Sequence, residues 1–520
     1  MSFVKSLKSW FGRFFKPDKD TGVPGKKKIG SGFKKNYRVK KNINVGIDFG
    51  TSSTKILYRD ITENKGSFLD VYENFSELGY SPFCIPSTIS LADDKIYFGS
   101  LAEKEAHRCW SVRSFKICFV CEVKDTFGCE LNNNIFRMSC EENQRKQGAR
   151  GKFHLGKGDD CKEWFSAKEL TTYYLSYIIK IVRDSIDRRY QNSHDLVYTY
   201  NICAPIDQFS DEDINKQYEK TFYLAEKVSF FINNGMSVKE IRDIYKKLSS
   251  ECKIIPGEEE RNTFVLPETL ASVMSYINSR KATDGLYGIV DIGAGTTDIS
   301  FFRHSSAVGH VEGIYSARTV FLGMDDLDVA IYEHIVTLLS CPELFSNSEK
   351  IQLLQQIRIR KQSSYKQGIK IDLPSDKEFY IEKEIVEKLI ASIIGKMREN
   401  YIEVWRDAYR KEMRESRWVS FILYVIGGGS KNILIFRSFF EEPSWIVKNV
   451  EIRQIDTADS IVNLTKMNSE VEDNAFLLSV AEGLSYHKID WSRQILPFQI
   501  DPLPIRTIRQ TRAKEELYPK

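Results

Sequence analysis

The chain has 520 residues, 42% hydrophobic and 28% charged, and 75 Lys and Arg against 71 Asp and Glu leave a net charge of +4. This balance describes a globular chain of about two to four domains; it excludes a fibre, a mucin or a disordered tail, and +4 is too small for wholesale nucleic-acid binding. No apolar run approaches the roughly 18 residues that span a bilayer, the N-terminus lacks a secretory cleavage pattern, and ten cysteines are too sparse for a disulfide-stapled fold, so a reducing cytoplasm is the expected compartment.

Residues 1–42 differ in kind from the rest. They hold thirteen Lys and Arg against Asp18 and Asp20, a net of +11, so the remaining chain carries −7. Phe3, Val4, Leu7, Trp10, Phe11, Phe14 and Phe15 recur at helical spacing, which predicts an amphipathic helix with lysines and Arg13 on its other face. Pro17 and the stretch from Gly22 to Gly32 then read as a flexible linker. Such an arm suits the surface of an anionic membrane at the inner face, docking onto a protein partner, or import into an organelle.

From Asn42 onward short apolar strands alternate with helical patterns, which predicts an α/β architecture. Strands are expected at Ile43 to Asp48, Lys55 to Arg59, Leu196 to Ala204, Tyr287 to Ile292, Thr297 to Arg303 and Phe421 to Ile426. Helical periodicity covers 167–190, 211–250, 325–340 and 381–415. The expected organisation is a first lobe over 43–205 with a polar surface insertion around 120–165, then 206–487 completing that lobe and forming a second, and a basic tail over 488–520.

The chemistry lies in an internal repeat. Val45 to Ile56 and Ile289 to Ser300 both read as a buried strand, an Asp, a turn of glycine and hydroxyl residues, and a second strand. Gly50 in the first turn, and Gly293 and Gly295 in the second, let backbone N–H groups converge on an anion, while Thr51, Ser52, Ser53, Thr296 and Thr297 offer hydroxyls to phosphate oxygens. Asp48 and Asp291, at the two strand ends, are placed to hold a hydrated Mg²⁺ through its waters. A third element, the strand ending at Ile426 followed by Gly427, Gly428, Gly429 and Ser430, predicts a flat ledge for a nucleoside.

With these motifs in this order, residues 43–487 resemble the actin, heat-shock chaperone and sugar-kinase ATPase superfamily, most closely the nucleotide-binding domain of DnaK-type chaperones. The resemblance extends to Phe98 to Lys116, Val197 to Pro205, Leu266 to Ser272, Leu322 to Asp328 and Asp473 to Gly483. It implies a two-lobed actin-like ATPase fold, duplicated RNase H-like domains with ATP or ADP and Mg²⁺ in the cleft. It further implies that Lys116 contacts the γ-phosphate, that Glu268 and Asp291 orient the attacking water and the metal's hydration shell, and that Asp298 adds a second acidic group near the metal. Arg360 is an adenine-stacking candidate, with a solvated helix face as its alternative. Two departures stand out: Ala294 occupies the middle of a turn that is all glycine in the chaperones, and no peptide-binding domain is expected after 487.

Other signals carry less. Gly151 to Gly158 mimics a P-loop but lacks the Ser or Thr and the preceding buried strand. Cys118, Cys121, Cys129, Cys140 and Cys161 read either as a zinc site or as buried thiols. Met397, Tyr401, Trp405 and Tyr409 read as core packing. The expected function is a Mg²⁺-dependent ATPase acting as a nucleotide-switched regulator or chaperone-like factor with a protein partner and no specific nucleic acid; the alternatives are a filament-forming actin-like ATPase and a small-molecule kinase. Membrane docking by the arm predicts that the intact chain co-sediments with anionic liposomes and that a chain starting at Asn42 does not; equal binding by both would contradict it.

Overall fold

The computed structural model describes residues 39–69, 83–105, 110–119 apart from 114 and 117, 152–154, 164–190, 193–278 apart from 253, 258 and 259, 283–305, 310–339, 345, 347–361, 368–373, 378–411, 420–431, 449–453 and 477–486. Most of the basic arm, the linker, the tail, four of the five insertion cysteines and most of the P-loop mimic lie outside these residues.

Chain order begins with β1 (Val39–Phe49), β2 (Ser53–Asp60), β3 (Lys65–Phe68), β4 (Ile85–Pro86), β5 (Thr88–Ala92) and β6 (Lys95–Phe98). Helix α1 (Gly99–Glu105), β7 (Trp110–Arg113), β8 (Lys152–His154), β9 (Trp164–Ser166) and α2 (Ala167–Tyr190) follow. Then come β10 (His194–Ala204), α3 (Ile206–Phe209), α4 (Glu212–Val228), β11 (Met236–Ser237), α5 (Val238–Glu251), β12 (Thr263–Pro267) and α6 (Glu268–Ile277). The next run is β13 (Gly285–Ile292), β14 (Thr297–Ser305), β15 (His310–Val320), α7 (Met324–Leu338) and α8 (Asn347–Arg360). The last elements are β16 (Ile369–Asp372), β17 (Glu378–Ile381), α9 (Lys383–Lys411), β18 (Ser420–Ile426), a 3₁₀ turn (Gly428–Lys431), β19 (Asn449–Arg453) and α10 (Ser479–Ser485). The architecture is mixed α/β, as the alternation predicted, and every expected strand is present.

Two sheets repeat one design. The first runs β12-β10-β1-β2-β3, with β4 also on β2, and the second runs β19-β18-β13-β14-β15. In each, the hairpin that carries the repeat motif occupies the third and fourth places. A four-stranded sheet, β11-β6-β5-β7, and two short hairpins complete the strands. The helical stretch expected at 211–250 is two helices, parted by residues 229–237. Asp211 accepts from the N–H groups of Asp213 and Ile214 to start α4, and Ser237 accepts from Glu240 N–H to start α5. Helix α2 begins at a reciprocal cap: Glu169 N–H donates to Ser166 Oγ and Ser166 N–H to Glu169 Oε2, at 3.1 and 2.9 Å.

Strand alternation explains the cores. Ile43, Val45, Ile47 and Phe49 on β1 are fully buried with Tyr173, Tyr174, Ile178 and Val182 of α2. On β13, Leu286, Val290 and Ile292 join a second core with α7, α8 and α9, which includes Met397 and Trp405. The opposite face of the same strand sends Tyr287 and Ile289 into a third core with α6 and α10. No helix among the described residues is long and apolar enough to cross a membrane.

Helices α6 and α10 cross where neither carries bulk. A Cβ built on Gly483 would lie 1.8 Å from the Ala271 carbonyl oxygen, a backbone atom that cannot yield by side-chain rotation. Buried amides anchor α10 to the first sheet: Asn44 Nδ2 donates to Tyr486 O at 3.1 Å and Asn201 Nδ2 to Leu484 O at 2.6 Å. Gly483→Ala is therefore expected to destabilise the chain by about 3 kcal/mol or to prevent folding, as overpacked contacts do. A urea midpoint equal to that of the native chain would contradict the contact.

Candidate functional site

The carboxyl ends of β1, β10 and β12 lie side by side and deliver Asp48, Cys203 and, one residue beyond β12, Glu268 to one edge of the first sheet. Their ligating atoms fall within 4.8 Å of one another. Open α/β sheets bind ligands at this edge because strand ends there release backbone and side chains into a crevice. Here the crevice is a cavity of about 590 Å³. Its walls include both repeat hairpins, the glycine step after β18, Lys116, Glu268 and part of α8.

The first hairpin offers Gly50, Thr51, Ser52 and Ser53 to the cavity, and the second offers Gly293, Ala294 and Thr296. Both turns are tied from behind. Ser87 N–H donates to Ser52 O at 2.9 Å and Ser87 Oγ to Gly50 O at 2.8 Å. In the second hairpin, Met324 N–H donates to Gly293 O at 3.1 Å and Asp325 N–H to Ala294 O at 2.7 Å. These bonds occupy carbonyls and hold the turn backbone in place, which is the preorganisation an anion cradle needs.

Lys55 and Lys116, beside the hairpins, are each paired with a carboxylate. Lys116 Nζ lies 3.0 Å from Glu268 Oε2, and Lys55 Nζ lies 2.9 Å from Asp48 Oδ2. Burial alone would lower both ammonium pKa values, yet Glu268 holds Lys116 well above the ordinary lysine range and Asp48 raises Lys55. Both stay charged. The Cys203 thiol donates to Asp48 Oδ1 at 3.7 Å; burial, then the charge of Glu268, raises its pKa well above the ordinary value, so it remains a thiol.

Asp291 stands apart. Burial, then Glu268, push its carboxyl up to about 7, against the opposing pull of Lys55. Asp298 faces it across the β13–β14 register and is raised well above its ordinary value by burial, then by Glu268, although Thr319 Oγ1 donates to it at 2.6 Å. Gly427 explains why the step after β18 begins with glycine: its φ is +81°, and a Cβ there would lie 2.2 Å from Asp291 Oδ1.

The cavity gathers most of the candidates and leaves five outside its wall. Lys116, Glu268, Asp291, Asp48, Gly427, Gly428 and Gly429 line it with the turn residues named above. Gly295, Thr297, Asp298, Ser430 and Arg360 do not. Thr297 Oγ1 donates instead to Leu322 O at 2.7 Å, and Ser430 Oγ to Gly427 O at 2.8 Å, so both hydroxyls brace the loops from within. Arg360 pairs with Asp372 and donates to Lys370 O at 2.5 Å, outside the cavity wall, which fits the solvated helix face offered as its alternative. The α8 segment presents Arg358, Ile359 and Lys361 to the cavity in its place. Lys55 and Cys203 were missed, although strand alternation gave a clue to the first: in the β1–β2 hairpin Lys55 is the cross-strand partner of Asp48. Among the insertion cysteines, Cys118 is buried and in no disulfide among the described residues, and the other four lie outside them.

Asp48, Glu268, Asp291 and Asp298 set four carboxylates against the ammonium groups of Lys55 and Lys116. The carboxylate oxygens of this group are donors of the kind a hydrated divalent cation takes. No protein-family model matches this sequence, and no curated protein matches it.

The raised Asp291 pKa predicts a pH effect. Between its ordinary value near 4 and about 7 the folded chain holds a proton on Asp291 that the unfolded chain has released. Stability from this group is complete below that window and is lost as pH rises through it, at most about 1.4 kcal/mol per pH unit. Asp291→Asn stays neutral at every pH, so in thermal melts without nucleotide its advantage over the native chain grows from about pH 5 to about pH 8. An advantage that does not change with pH would contradict the assignment.

Proposed function

We propose that the chain is a Mg²⁺-dependent ATPase with a two-lobed actin-like fold, and that its nucleotide state is read by a protein partner. The observation that carries the reading is the meeting, at one cavity, of two hairpins with the same Asp-and-glycine pattern, a buried lysine–glutamate pair and a glycine step. The shared strand order of the two sheets supports a duplicated fold. The two hairpin turns clamp the phosphates between them, and Gly427 to Gly429 underlie the nucleoside.

The donor set fits a hydrated divalent cation, which Asp48 and Asp291 would hold through water. Such an ion supplies neutralisation of charge on the phosphate oxygens. Lys55 and Lys116 add fixed positive charge beside the phosphates. Lys116 already sits desolvated against Glu268, so a small displacement brings its ammonium to the γ-phosphate at little reorganisation cost. Glu268 then has a carboxylate oxygen for a water molecule, which it orients and whose proton it accepts. The water oxygen bonds to the γ-phosphorus, and the bond to the β–γ bridging oxygen breaks, its electron pair leaving with ADP. Phosphoryl transfer depends on this positioning and charge neutralisation more than on covalent help from the protein. The arm of residues 1–42, with its net +11, is the proposed contact with a partner or an anionic membrane.

Lys116→Ala and Asp291→Asn are each expected to lower phosphate release by about 10²-fold to 10³-fold, the usual cost of one electrostatic group. Binding of a fluorescent ATP analogue should remain measurable in both. Unchanged phosphate release in both variants would overturn the site.

A further inference from the structure

Along the cavity wall built by α8 and the start of α7, most polar side chains are already bonded inside the protein. Gln355 Nε2 donates to Glu103 Oε2 at 3.3 Å. Gln356 donates to Asp372 O and accepts from Asp372 N–H, both at 3.0 Å. Arg358 is fixed on Asp325 Oδ1 at 2.9 Å and reaches Asp328 Oδ2 at 3.8 Å. Lys361 pairs with Asp328 Oδ1 at 2.5 Å and donates to Met324 O at 2.8 Å. These bonds secure α8 to α7, α1 and β16 and orient the groups toward the protein.

What this wall and the glycine step after β18 leave open includes apolar and backbone surface, with Lys431 beside it. Ile359 keeps 46% of its surface exposed while lining the cavity. Gly428 has open space where a Cβ would stand, and the Met324 sulfur lies beside Gly429. The remaining carboxylate oxygen, Asp325 Oδ2, is buried without a hydrogen bond. Asp325 N–H is bonded to Ala294 O of the second hairpin, which ties this wall to the turn. Gln352 lines the cavity and has no hydrogen bond among the described residues. A side-chain amide carries a donor and an acceptor, and rotation by half a turn exchanges them.

Adenine and guanine have the same ring area and differ in the donors and acceptors on their edges. Apolar faces register the area, and an amide that turns over meets a 6-amino or a 6-oxo group equally well. Resting on the nucleotide reading above, we propose that this site selects purine over pyrimidine nucleotides by ring size and does not distinguish adenine from guanine, so that GTP is a ligand alongside ATP. A site built to hydrogen-bond one base edge rejects the other by about 10⁴-fold, whereas a loss of apolar contact costs about 10-fold to 200-fold.

The test is competition of ATP, GTP and CTP against a fluorescent ATP analogue on the full chain with Mg²⁺. The expected result is ATP and GTP affinities within about tenfold of each other and CTP weaker than both by about tenfold or more. A preference above about tenfold between ATP and GTP, or CTP bound as tightly as either, overturns the inference and leaves the nucleotide reading standing. Binding of none of the three overturns both. Gln352→Ala should weaken ATP and GTP to the same degree; a change in their ratio beyond about tenfold would show that the amide reads one base edge and would also overturn it.

Discussion

Asp48 and Asp291 hold the same place in two hairpins of the same design, and the residue opposite each in its own hairpin decides how the cavity carries charge. Across β1–β2 the partner of Asp48 is Lys55, 2.9 Å away. Across β13–β14 the partner of Asp291 is Asp298, a second buried carboxyl. One register gives an ion pair that neutralises itself, and the other gives two acids that burial, then the charge of Glu268, push upward. Strand pairing thus sets the electrostatics of the cavity before any ligand is considered. The Lys116–Glu268 pair adds no net charge to either hairpin.

The same register logic places the backbone. Each hairpin ends at a strand edge, and each turn is braced by segments further along the chain, Ser87 for the first and Met324 with Asp325 for the second. The glycine step then closes against Asp291 itself, because Gly427 takes a positive φ where any side chain would strike that carboxylate. A carboxyl that burial pushes upward is therefore also one against which the backbone leaves no room for a side chain. Asn in its place preserves that packing and removes only the charge, which is why it separates electrostatics from structure.

Much of this was legible in the sequence, and the failures are equally physical. Alternation of apolar residues marked the strands of both hairpins, β10 and β18, though not β12, which delivers Glu268; Gly with a neighbouring Asp marked both turns, because period two and positive φ leave compositional traces. Arg360 is claimed by β16: it shares a helix face with Gln356, four residues earlier, and both are bonded to Asp372. Thr297 failed on strand phase, since Thr296 faces the cavity and the next residue must point the other way, to Leu322. Cys203 left no trace at all: its place beside Asp48 depends on which strand lies next to β1, a property of topology and not of local pattern.

The pairing of charges within the cavity has a consequence for binding. An unpaired buried ammonium or carboxylate is costly, and Lys55, Lys116, Arg358 and Lys361 each have a carboxylate within 3.0 Å. An entering anion therefore meets cations already stripped of water and already aimed, and it gains by exchanging partners and not by dehydrating free charges. The exchange is easiest where the carboxylate released has another use. Glu268 and Asp48 sit at strand ends open to the cavity, whereas Asp325 and Asp328 are locked in the first turns of α7 with Arg358 and Lys361 fixed on them. The two lysines at the hairpins can move to a ligand, and the two cations on α8 serve to hold the wall.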